Sequence, residues 1–69
     1  MRDRQKARTR AAIVRAAGTL LGKGEKPSLD EIAEEAGVSR ATAYRYFPGL
    51  DALLSEAAVD LLMPQVEQV

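Results

Sequence analysis

The side chains able to do chemistry in this sequence are cations, hydroxyls and carboxylates. Cys and His are both absent. Their absence excludes a disulfide scaffold, thiolate nucleophiles, zinc-finger ligation and any His-based triad. Glu34-Glu35 is the nearest approach to an acid/base pair, but adjacent helical residues point apart and no nucleophile or metal ligand accompanies them. No catalytic residue, metal or cofactor is therefore expected, and the chain is not expected to be an enzyme. Another kind of chemistry stands out in Arg40-Ala41-Thr42-Ala43-Tyr44-Arg45-Tyr46-Phe47. Arg can grip a guanine edge with two hydrogen bonds, an Ala methyl can pack on a thymine methyl, and Thr and Tyr can bond to phosphate or to base edges. At helical spacing Ala43 and Phe47 share one side. Ala41 and Arg45 lie nearly opposite, flanked by Thr42 and Tyr44.

Charge is distributed to match. The formal net charge is zero and the isoelectric point 6.2, which argues against a wholly basic binding domain. Locally the balance is uneven. Arg2, Arg4, Lys6, Arg8, Arg10 and Arg15 face Asp3 alone at the start of the chain, and Asp30, Glu31, Glu34 and Glu35 form an acidic stretch. Arg40 and Arg45 then restore positive charge before Asp51, Glu56, Asp60 and Glu67 reverse it. Screening confines each charge to a neighbourhood of roughly 8–10 Å, so one basic face is enough for nucleic acid. A solvated basic arm is the alternative reading of the first residues.

The elements that must position these residues are helices. At 69 residues the chain has room for one small domain, and its apolar 46% is mostly Ala, Leu and Val. A first helix is expected from about Gln5 to Leu21, with Ile13, Ala16, Ala17, Leu20 and Leu21 in one stripe and Gly22 and Gly24 as its stop. Ser28-Leu29-Asp30-Glu31 has the spacing of a capping box and opens a short second helix ending at Gly37. Ser39 caps a third helix, which Pro48-Gly49 ends. The fourth begins near Leu50, with Leu50, Leu53, Leu54, Ala57, Ala58, Leu61 and Leu62 aligned and Val59, Met63 and Val66 broadening the stripe, until Pro64 stops it. No apolar run approaches the roughly 20 residues of a membrane span, and the start is too polar for a signal peptide, so a cytoplasmic location is expected.

Two short helices joined at Gly37-Val38 have the dimensions of a helix-turn-helix. Gly37 tolerates the positive φ of a sharp turn, Val38 can plug the gap, and Ala33 and Ala43 permit close approach. An ordinary α-hairpin with a solvated outer face has the same pattern. Tyr44 and Tyr46 weigh against it, since such a face usually carries Glu, Lys or Gln.

Across residues 10–54 the sequence resembles the DNA-binding domain of the TetR (tetracycline-repressor-like) family of bacterial transcriptional regulators. The resembling stretches are Ile13-Val14-Arg15-Ala16-Ala17 with Leu20-Leu21 and Gly24, then Ser28 through Ser39, Thr42 through Pro48, and Asp51-Ala52-Leu53-Leu54. The resemblance implies an all-α fold: a three-helix bundle containing a helix-turn-helix, plus the start of a fourth, linking helix. It implies a basic arm at 1–9, a DNA-binding head at 10–49, and a linking helix at 50–69 leading to a C-terminal domain for dimerisation and effector binding. By position it assigns base contacts to Arg40, Ala41, Thr42, Tyr44 and Arg45. It assigns phosphate contacts to Arg8, Thr9, Arg10, Ser28, Ser39 and Tyr46, with the amides of Gly49 and Leu50. Leu50 stands where the family usually has a phosphate-binding Lys, and Leu21 where it usually has Phe. The implied partners are a palindromic double-stranded operator, a second copy of the chain and a small-molecule effector, in a ligand-responsive repressor. A protein-interaction module presenting its fourth helix remains the other class of reading. Such a face should be richer in Leu, Met or Phe than the third helix is.

Overall fold

The computed structural model describes the backbone of residues 2–62 and the side chains of residues 5–60. Four helices follow one another: α1 (Arg2–Leu21), α2 (Leu29–Ala36), α3 (Arg40–Tyr46) and α4 (Leu50–Leu62), with no strand among the described residues. The expected end of α4 at Pro64 and its apolar continuation through Met63 and Val66 lie outside the described residues, as do the side chains of Leu61 and Leu62.

Each helix end has a local cause. Helix α1 starts three residues before the expected Gln5, at Arg2, so the helix also takes in residues 2–4. Arg, Gln, Lys and Ala are all good helix formers and no stop signal separates them from the apolar stripe. At its other end the Gly24 amide donates to the Leu21 carbonyl, with Gly24 at φ 85°. Ser28 caps α2 through the full reciprocal box: its hydroxyl accepts from the Glu31 amide at 3.2 Å, and the Glu31 carboxylate accepts from the Ser28 amide at 2.8 Å. Gly37, at φ 76°, closes α2, with its amide donating to Glu34 and that of Val38 to Ala33. This is the two-bond Schellman ending, which needs the left-handed residue that glycine supplies. Helix α3 stops at Tyr46, one residue short of expectation. Phe47 precedes Pro48, whose ring disfavours helical backbone at the residue before it, and Phe47 takes φ −136°, ψ 85°.

Helix α1 is the central element, packing against α2 on one side and α4 on the other, while α3 packs against α2. Ile13, Ile32 and Leu53 are the largest side chains fully removed from water, and one comes from each of α1, α2 and α4. Helix α3 contributes Ala43, fully buried, and Phe47 follows at its C-cap. Ala33 and Ala43 are both buried where α2 and α3 meet, as the small-residue pattern predicts. Val38 packs half-buried beside the core between them. Along α4, Leu53 and Ala57 are buried, whereas Ala58 and Val59 are exposed. This arrangement is all-α with a helix-turn-helix, as expected.

Candidate nucleic-acid interface

Burying Ala43 and Phe47 fixes the orientation of α3 and turns the rest of it outward. Arg40, Ala41, Tyr44 and Arg45 are exposed, Thr42 and Tyr46 half-buried. Tyr44 stands 57% exposed on the outer face of α3. The N-cap does more than start the helix. The Ser39 hydroxyl accepts from the Thr42 amide at 3.0 Å and donates to the Thr42 hydroxyl oxygen at 2.9 Å. Thr42 is thereby held in one orientation with its own proton free to donate outward. Ser39, expected on a phosphate, has its proton engaged in this internal bond.

Helix α1 completes the surface. A cleft of about 250 Å³ runs between its first turns and α3, lined by Gln5, Lys6 and Thr9 on one side and Thr42, Arg45 and Tyr46 on the other. Two cations, two threonine hydroxyls, a phenol and an amide meet there with no carboxylate in the lining. That set suits a phosphodiester, which accepts hydrogen bonds and carries negative charge. Thr9, Thr42, Arg45 and Tyr46 were all expected at DNA. Gln5 and Lys6 were not, although Lys6 lies one helical turn before Thr9 and the spacing alone puts the two on one face. Arg8 is exposed on the same helix.

Other expected phosphate residues are held elsewhere. Arg10 reaches across to α4 and grips Glu56 with both terminal nitrogens, at 2.5 and 2.7 Å, while its guanidinium lies 4.8 Å from the centre of the Phe47 ring. It ties α1, α4 and the end of α3 together, and a phosphate would meet only its remaining N–H groups, beside the negative charge of Glu56. Ser28 has its amide on the Glu31 carboxylate, with Asp30 alongside, so the start of α2 already carries two negative charges. Only the hydroxyl proton of Ser28 is left for a phosphate. Gly49 is exposed and its carbonyl accepts from the Leu53 amide at 3.3 Å, while Leu50 packs half-buried at the core edge with Asp51 next to it.

The Arg10–Glu56 pair has a pH signature. Hydrogen bonding to Arg10 holds the Glu56 carboxyl below its ordinary value. A carboxyl depressed in the folded state adds stability above its unfolded value and loses it as pH falls through the folded one. Glu56→Gln should therefore leave a shallower loss of stability below about pH 5 than the parent shows, with little difference once Glu56 of the parent is protonated in both folded and unfolded states. Urea midpoints measured across that range check it; identical acid limbs would remove the pair from the account.

The family described as bacterial regulatory proteins, tetR family, matches residues 25–57, just under half the chain. The match spans the capped start of α2, the Gly37 turn, α3 and the opening of α4; it does not reach α1, over which the sequence resemblance also extends. No curated protein and no solved structure matches the chain significantly. The turn that orients α3 and the outward residues of that helix both fall inside the matched segment, which supports reading the chain as an N-terminal DNA-binding domain of a tetR-family regulator.

Proposed function

We propose that α3 enters the major groove of double-stranded DNA with Arg40, Ala41, Thr42, Tyr44 and Arg45 toward the base edges. A backbone phosphate then sits in the α1–α3 cleft against Lys6, Thr9 and Tyr46, with Arg8 beside it. The observation that carries this reading is the cleft itself, basic and carboxylate-free, lying along the exposed face of α3. A helix set against a groove needs such backbone anchors to fix its register, since phosphate contacts position and base contacts specify. The contacts at Ser28, Ser39, Arg10 and the Gly49 and Leu50 amides are secondary in this reading, because their groups are internally engaged or carry no free charge.

We further propose that the regulator acts in the cytoplasm as a homodimeric, ligand-responsive repressor. Two α3 helices about 34–36 Å apart would read a palindrome. Exposed Ala58 and Val59 on α4 support a linking role for that helix, because they form an apolar surface beyond the head that no other described residue covers. An effector favouring another helix spacing would release the operator without touching the head.

The test is fluorescence anisotropy of a labelled random-sequence duplex across a salt series. Each phosphate neutralised contributes a slope of about −0.9 in log affinity against log salt. Lys6→Ala should flatten the slope by about one and weaken binding similarly on all sequences, with the circular dichroism spectrum unchanged. Binding that ignores salt, or a slope unchanged by Lys6→Ala, would take the phosphate out of the cleft.

A further inference from the structure

Arg40 is not free. Its Nε lies 3.0 Å from Oδ1 of Asp30, across the turn on α2, and both side chains are well exposed, at 74% and 64%. At such exposure an ion pair adds little to stability, so its interest lies in what it does to the arginine. Nε is the inner nitrogen of the guanidinium. An ion pair made at Nε leaves the two outer nitrogens as the free edge of a planar fork, and that edge can reach guanine O6 and N7 together. A carboxylate fixed beside the fork also discriminates between targets. A phosphate brings a full negative charge toward Asp30 and is repelled, whereas a guanine edge presents neutral acceptors and is not.

We propose that Asp30 is a specificity-determining positioning residue: it aims Arg40 at a guanine and keeps it off the DNA backbone. The inference rests on the reading that α3 faces the major groove. It also gives the acidic start of α2 a role at the interface. Without Asp30, Arg40 would become one more mobile cation, free to find any phosphate.

A matched control lies on the same helix. Glu35 is exposed like Asp30 but lines a different groove, against Ala12, Arg15 and Thr19 of α1. Asp30→Asn and Glu35→Gln remove the same charge, and only the first should act on Arg40. Duplexes enriched by the unaltered chain from a random library serve as the specific probe, and the unselected library as the non-specific one. Asp30→Asn should tighten binding to the unselected library by about two- to fivefold and steepen its salt slope by about one. It should gain less on the enriched duplexes, so that the ratio between the two falls and one guanine position becomes degenerate on reselection. Glu35→Gln should move both affinities by the same factor and leave the ratio intact. In an Arg40→Ala background, Asp30→Asn should no longer change the ratio. If Asp30→Asn and Glu35→Gln behave alike, or the ratio survives Asp30→Asn, the proposal is overturned while DNA binding stands. If the unaltered chain enriches no duplex, the DNA reading itself fails and this inference falls with it.

Discussion

Phe47→Ala should unfold much of the chain at room temperature. Phe47 is 4% exposed and is the sole Phe in the sequence. It sits at the C-cap of α3, covered by the Arg10 guanidinium that Glu56 holds in place. Truncating a buried Phe costs about 3–5 kcal/mol, more where neighbours cannot relax into the space. Much of the surrounding core is alanine: Ala16, Ala17, Ala43 and Ala57 are all buried. An alanine methyl has no rotamer with which to fill a gap, so the cavity should persist. A chain of 69 residues has a stability of roughly 3–10 kcal/mol in total. Thermal melts followed by circular dichroism measure the outcome. A cooperative Phe47→Ala transition near that of the parent would show that Phe47 does not hold α3 to the bundle.

Arg40→Ala should have the opposite profile, leaving the fold and damaging recognition. Arg40 opens α3 and is heavily exposed, and it pairs with Asp30 at the surface, so stability should change by no more than about 0.5 kcal/mol. Loss of a two-pronged guanine contact costs about 1–3 kcal/mol of specific binding and relaxes preference at one base position per half-site. Non-specific affinity should fall much less, because Asp30 already offsets the charge of Arg40 in the free protein. Paired titrations on enriched and unselected duplexes separate these effects. An Arg40→Ala chain that binds its enriched sequence normally would end the base-reading role of that residue.

Much of this architecture was legible from residues whose consequences are local. Ser28 with Glu31, Gly37, and Ser39 determine helix ends through hydrogen bonds within a few positions, and each behaves in the structure as its spacing predicts. Pro48 stops α3 one residue earlier than its position alone predicts, through the backbone of Phe47. The outward face of α3 was legible for a similar reason: once Ala43 and Phe47 are inside, helical geometry assigns the rest. Contacts made across the fold were not legible. Nothing in the order of residues announces that Arg10 will meet Glu56, 46 positions away, and its place in a basic run points to phosphate instead. Asp30 and Arg40 become neighbours only because the Gly37 turn folds α3 back against α2. The start of α1 lies three residues before the expected Gln5, since helix propensity carries it through residues 2–4. The first turns of α1 bring Gln5, Lys6 and Thr9 to α3, and the cleft forms between elements more than thirty residues apart in sequence.

The most direct test of a DNA-reading α3 is selection of duplexes from a random library by the folded chain, with sequencing of the bound pool. The expected result is an enriched motif containing a guanine that depends on Arg40, recovered less efficiently as salt rises. A bound pool as random as the input, from a chain shown to be folded by its cooperative melt, would contradict it.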